Sequence, residues 1–234
     1  MATGDGFRRG TRIHYFPITL PLVGLLLLLI LILIVMIEVG AISYAYERIG
    51  IAPHLAGVLL LLSLLGSYVN IPVAVLKAET VLSEREVVFF GARWIVPVAE
   101  ERPRTILAVN VGGAVIPTIV TIQILLRHGF FGKAALATAI VAAVVHRFAR
   151  PLEGIGIGVP IFIPPLIAAL AAFVLSRDAA PALAYCAGTL GTLIGADLLN
   201  LRRIRGMGAP VASIGGAGTF DGIFLTGILA VLLA

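Results

Sequence analysis

A chain of 234 residues, 60% of them apolar and 12% charged, with a mean hydropathy of +1.10, lies far outside the range of a water-soluble domain. Its formal charge of +5 would suit a nucleic-acid binder, but cations placed on one side of alternating membrane spans explain it, so nucleic acid is excluded as a partner and the bilayer takes its place. The single cysteine, Cys186, rules out an intrachain disulfide and reads as a small packing residue.

Residues 1–16 form a basic tail on the inner membrane surface, and 17–234 a single all-α polytopic membrane domain with about seven apolar runs of spanning length. The first run, from about Phe16 to Tyr46, is too long for a signal-peptide core and is expected to stay as an anchor. Its Glu38 lies near the outer end, where a carboxylate snorkels to the interface or joins a proton relay. The second run, Pro53 to Leu76, is expected to be a helix kinked at Pro72, with Asn70 satisfying the carbonyl that the proline frees.

From Lys77 to Arg104 the composition changes, and EREVVFFGARWIVPVAEERPRT reads as two β-rich stretches broken at Gly91, a small cytoplasmic hairpin. The next segment, RTILAVNVGGAVIPTIVTIQILL, starts like a strand, turns at Gly112–Gly113 and leaves a helix too short to span unaided. The fourth span, Lys133 to Phe148, is alanine-rich and ends in His146 at a basic boundary, an interfacial histidine. The fifth opens with EGIGIGVPIFIPP and becomes continuous helix only after Pro164–Pro165; its glycine spacing lacks the strand-to-helix setting of a dinucleotide site. The sixth, Pro181 to Leu199, is the most regular, and Gly188, Gly191 and Gly195 permit close helix approach. The seventh opens with GMGAPVASIGGAGTFDG and becomes helical near Phe220.

Three segments therefore pass into the membrane as irregular, glycine-rich lead-ins and continue as short helices. Two of these lead-ins look alike: VGGAVIPTIV at 111–120 and IGGAGTFDGIF at 214–224, which align Gly113 with Gly216 and Thr118 with Asp221. With the N-terminus inside, thirteen Lys and Arg fall on the cytoplasmic side and four outside (Arg48, Arg127, Lys133, Arg177), so the expected topology is N-in, C-out in the cell (inner) membrane.

Irregular backbone is tolerated at membrane depth only where protein or a wet cavity satisfies it. The three lead-ins thus imply a cytoplasm-facing cavity, and the last two runs place Asp197 and Asp221 beside it, the only acidic residues after Asp178. A carboxylate at that depth is costly and marks a functional site by default. Two close carboxylates share one proton, and such a pair serves as general base and general acid. Asp197 and Asp221 are the candidate catalytic residues. Asn70, Asn110, Thr118, Asn200, Gly195, Gly215, Gly216, Gly218 and Phe220 are the candidate cavity-lining or substrate-binding residues.

Phe220–Asp221 and Gly195-Ala196-Asp197 resemble the aromatic-Asp and Gly-x-Gly-Asp motifs of presenilin and signal peptide peptidase-type intramembrane aspartyl proteases, here in reversed order and with the second glycine missing. That resemblance implies amide hydrolysis of a membrane-embedded peptide. Pro181-Ala182-Leu183 is discounted as that family's third motif, because on one helix it stands about 24 Å from Asp197. Through NVGGAVIP, GADLLNL and GGAGTFDGIF the whole chain is similar to an uncharacterised bacterial and archaeal family of multi-spanning proteins with a domain of unknown function, which implies no activity.

Two other classes remain open. An ion-coupled carrier or channel would use the same carboxylates and asparagines as ligands for a small solute, helped by dimerisation in a chain this short. A non-catalytic membrane scaffold would pair Asp197 with Arg202 or Arg203 and set Asp221 on its helix dipole. No P-loop, metal-ligand spacing or zinc helix occurs, so no cofactor or metal is expected.

Overall fold

A computed structural model describes residues 19–76, 80–89, 92–101, 105–152, 156–204, 211–216 and 220–234; within these, the side chains of 19–23, 25, 26, 80–89, 92–101, Leu152, Gly156, Ile204, Phe220 and Asp221 lie outside the description. The basic tail of residues 1–16 and Gly218 also fall outside it. Contacts divide the chain into Met1–Gly40 and Ala41–Ala234. The first unit holds most of helix α1 (Thr19–Arg48), whose side chains from Leu27 to Ile37 are all exposed, as a leucine- and isoleucine-rich lipid-facing helix should be.

The second unit is mostly helical with small sheets. Helix α2 (Pro53–Gly66) leads into strand β1 (Asn70–Leu76), hairpin β2 (Thr80–Phe89) and β3 (Ala92–Glu101), and strand β4 (Thr105–Asn110). Then follow α3 (Ile116–His128), α4 (Phe131–Phe148), the short strands β5 (Arg150–Leu152) and β6 (Gly156–Gly158), α5 (Ile163–Leu175) and α6 (Ala180–Thr192). The chain closes with the single turn α7 (Leu201–Ile204), strand β7 (Val211–Ile214) and α8 (Phe220–Leu233). Among the described residues, four helical stretches are long and apolar enough to cross a membrane: Leu27–Arg48, Val111–His128, Phe131–Phe148 and Ala180–Arg203. The second is longer than the short helix expected there, because the glycine pair lies in a π-helical turn, Val111–Val115, that continues into α3. Three shorter apolar helices, Pro53–Gly66, Ile163–Leu175 and Gly222–Leu233, accompany them.

The hairpin expected from Lys77 to Arg104 is present, with β2 and β3 antiparallel from Thr80↔Glu101 to Phe89↔Ala92. The expected helix from Pro53 to Leu76 is not. It stops at Gly66, and Asn70–Leu76 instead pairs antiparallel with β4, from Asn70↔Asn110 to Leu76↔Thr105. Valine and isoleucine favour the pleated strand, and Pro72, which would break a helix, is tolerated because β1 lies at the sheet edge and bulges between Pro72 and Ala74. β4 pairs on its other side, in parallel, with β7. The pair β5–β6, ahead of α5, is a further departure from the all-helical expectation, and the glycines there conceal it in the sequence.

Helix α6 is the central element. Its buried Leu183, Ala184 and Ala187 join Ala137, Val141 and Val145 of α4 and Ala168 and Ala172 of α5 in one apolar cluster. Its Ala182, Tyr185 and Cys186 join Tyr46 of α1, Ile124 of α3 and Phe224 and Ile228 of α8 in a second. Small residues bring the backbones together: a Cβ on Gly191 would meet Val141 at 2.5 Å, and one on Gly195 would meet the Ala142 carbonyl oxygen at 2.5 Å. Cys186 is buried in this packing. The sixth segment is less regular than expected, since α6 widens into a π-helical turn at Leu193–Asp197 and then tightens to a 3₁₀ turn at Leu198–Asn200. Such a widened turn inserts one residue into the helix and often marks a functional position.

Candidate functional site

Two glycine-rich lead-ins begin at the ends of adjacent parallel strands. In the first, β4 runs into a π-helical turn, Val111–Val115, and then α3; in the second, β7 runs into Gly215–Gly216 and, further on, α8. They touch directly. A Cβ on Gly215 would lie 2.6 Å from the Ala114 Cβ, and one on Gly216 would lie 3.0 Å from the Asn110 Cβ and overlap the Ser213 hydroxyl. Gly215 also has φ +71°, the left-handed conformation that favours glycine. Both glycines are buried, and among the described residues each is a close-packed spacer, Gly215 against the backbone of Gly113 and Ala114 and Gly216 against the side chains of Ser213 and Asn110. The aligned residues Thr118 and Asp221 both fall in the first turns of their helices, α3 and α8.

Asp197 is 4% exposed and closes the widened turn of α6. Its Oδ2 accepts the Gly215 amide at 2.8 Å, so the carboxylate is docked onto the second lead-in. A buried amide without an acceptor costs about 1–3 kcal/mol, and this bond removes that cost. Among the described residues no ion pair neutralises Asp197. Arg203 turns instead to the Ala149 carbonyl at 3.5 Å, and Arg202 is exposed.

Asn200, expected as a ligand, works as a clamp. Its Nδ2 donates to the carbonyls of Gly195 and Ala196, both at 2.9 Å, across the point where the helical pitch changes. Its Oδ1 is buried with no hydrogen-bond partner among the described residues. Gly195, one turn away, is filled by α4 and provides close helix contact.

The second polar group gathers at the end of the three-stranded sheet. Asn110, fully buried, accepts the Gly113 amide on Oδ1 at 2.8 Å, capping the first lead-in, and donates through Nδ2 to the Ser67 carbonyl at 2.7 Å and to Asn70 Oδ1 at 3.0 Å. Ser213 also donates to Asn70 Oδ1. Asn70 and Asn110 are among the residues the sequence picks out as candidates; the Ser67 carbonyl and the Ser213 hydroxyl complete the group. Their only sequence signal is a position at the end of α2 and on β7. Asn110→Ala is expected to lower the unfolding free energy in detergent by about 2 kcal/mol, because the buried Gly113 amide and the half-buried Ser67 carbonyl lose their partner. Asn70→Ala, on the exposed edge strand, is expected to cost less than half as much; equal losses in chemical denaturation would contradict this ranking.

Among the sequence-predicted residues, the structure thus brings Asp197 to Gly215 through a hydrogen bond, Gly216 to Asn110 through close packing, and Asn110 to Asn70 through their amides. Asn200 supports Asp197 from within its own turn, and Thr118 stands in the first turn of α3, half-buried. The side chains of Phe220 and Asp221, and Gly218 as a whole, lie outside the described residues. No group of three or more metal-ligating side chains occurs among the described residues.

Residues 64–233 match the model of a family described as a protein of unknown function, DUF1614. The match covers most of the chain, including every element of the site. No curated protein and no solved structure matches.

Proposed function

Since the chain belongs to the DUF1614 family, whose function is unknown, we propose its activity from the site alone: Asp197 and Asp221 act as a carboxyl pair that hydrolyses an amide bond of a membrane-embedded peptide. The observation that carries this reading is the bond from the Gly215 amide to the Asp197 carboxylate. It fastens the buried acid to the very segment that leads, a few residues later, into α8 and Asp221 in its first turn. Among the described residues no cation competes for Asp197, as a purely structural ion pair would require.

In the proposed reaction the ionised carboxylate removes a proton from water while the protonated partner donates to the carbonyl oxygen. The water oxygen bonds to the carbonyl carbon as its π bond opens, giving a gem-diol. The carboxyl that took the water proton then gives it to the nitrogen while its partner takes a proton from one diol hydroxyl, so the C–N bond breaks, an amine and a carboxylic acid leave, and the pair returns to its starting protonation. The reading places seven segments in the inner membrane with the N-terminus cytoplasmic. Support comes from the bias of Lys and Arg and from contacts that join helix ends: Arg127 to the Gly50 carbonyl at 2.5 Å, Lys133 to Ser176 at 3.2 Å, and Arg48 to the Val231 carbonyl at 3.2 Å.

A carrier reading draws on a different observation, the two strand–glycine–helix units side by side, because carriers often build their sites from repeated broken helices. One substitution separates the two. Asp221→Asn is expected to abolish cleavage of a membrane-embedded peptide by the reconstituted chain, with no solute flux in either form. Retained cleavage would reject the hydrolase, and flux through proteoliposomes that depends on Asp221 would favour the carrier.

A further inference from the structure

The turn after α1 and the facing sides of α2 and α3 enclose a groove of about 800 Å³. Its wall is Leu55, Val58, Leu59 and Leu62 of α2 with Leu126 of α3, and its polar groups belong to α3 and the turn, chiefly Gln123 and Arg127. The Arg127 guanidinium is held at the mouth by one N–H donated to the Gly50 carbonyl at 2.5 Å. Gly50 has φ +82°, and a Cβ there would lie 2.9 Å from the arginine, so the turn is shaped around that contact. A guanidinium carries five N–H donors in a planar fork suited to phosphate, and among the described residues one of them is used here.

We propose that this groove holds one anionic phospholipid of the surrounding bilayer, its phosphate on Arg127 and an acyl chain along the α2 leucines. Depth supports this occupant. From Ala52 to Leu62 the helix rises about 15 Å, one leaflet of a hydrocarbon core about 30 Å thick. Polarity supports it too. A peptide lying in the groove would bring amides and carbonyls that the leucine wall does not satisfy, whereas a hydrocarbon tail needs no partner. The volume is that of a small-molecule site. Arg127 at the mouth shares a contact with the α1–α2 turn, which places the charge where a headgroup lies.

The full chain, reconstituted in nanodiscs of mixed phosphatidylglycerol and phosphatidylcholine and then released for native mass spectrometry, tests this. Wild type is expected to retain one phosphatidylglycerol in preference to phosphatidylcholine. Arg127→Gln is expected to reduce that preference about tenfold, and Val58→Trp, on the exposed wall, to displace both lipids. Equal retention of the two lipids by wild type, or unchanged preference in Arg127→Gln, would overturn the proposal. Should Arg127→Gln fail to fold, unchanged retention by Val58→Trp overturns it instead. None of these outcomes depends on the carboxyl pair, since Arg127 and Val58 stand outside it.

Discussion

Asp197→Asn is expected to give a protein that folds like wild type and has lost at least about a thousandfold of its peptide-cleaving rate, the scale of a positioned acid or base. The asparagine carbonyl still accepts the Gly215 amide, so the bond at 2.8 Å and the docking of the second lead-in survive, while the ability to take or give a proton does not. Asp197→Ala behaves differently. It leaves the Gly215 amide buried without an acceptor and is expected to cost about 1–3 kcal/mol of stability as well as activity. Measuring cleavage and chemical denaturation on both variants separates catalysis from cement. Full activity in Asp197→Asn would refute the hydrolase, and equal stability of the two variants would show that the bond to Gly215 holds nothing in place.

Gly112→Ala is expected to produce the largest loss of stability of any glycine-to-alanine change among the described residues, at least about 3 kcal/mol, at the upper end for overpacking. An added Cβ would overlap the Ser63 carbonyl oxygen and press on the Ser67 amide and the Gly66 carbonyl carbon. These are backbone atoms of α2 and its end, so no rotamer change relieves the contact. α2 must move away from the first lead-in, which also loosens the Ser67 carbonyl that Asn110 holds. The control is Gly132→Ala in α4, where nothing lies within 4 Å and helix propensity favours alanine by up to about 1 kcal/mol. Comparing denaturation midpoints of the two variants checks this, and similar midpoints would show that α2 and the turn beside it yield easily.

Features that depend on neighbouring residues are readable in the sequence. The leucine-rich α1, the alanine-rich α4, the β2–β3 hairpin around Gly91 and the glycine breaks before α3 and α8 all follow from runs of like residues and from breakers. The region from Pro53 to Leu76 reads wrongly as one helix because continuous apolar sequence has the same hydropathy in a helix and in a strand. A partner strand decides between them, and β4 lies well downstream. Asn70 and Asn110 are visible as polar residues in apolar surroundings, but their direct opposition across the ladder is not.

The amino-acid order by itself determined that this is a membrane-embedded chain with apolar runs, one polar hairpin and two acids in its last forty residues, because hydropathy and charge are properties of each residue and of its nearest neighbours. Only the tertiary structure decided that β4 and β7 lie side by side, that Asn200 clamps a widened turn, and that Asp197 accepts the Gly215 amide. Those contacts join segments far apart along the chain, and they form because a buried amide or carboxylate must find its partner wherever packing brings one within reach.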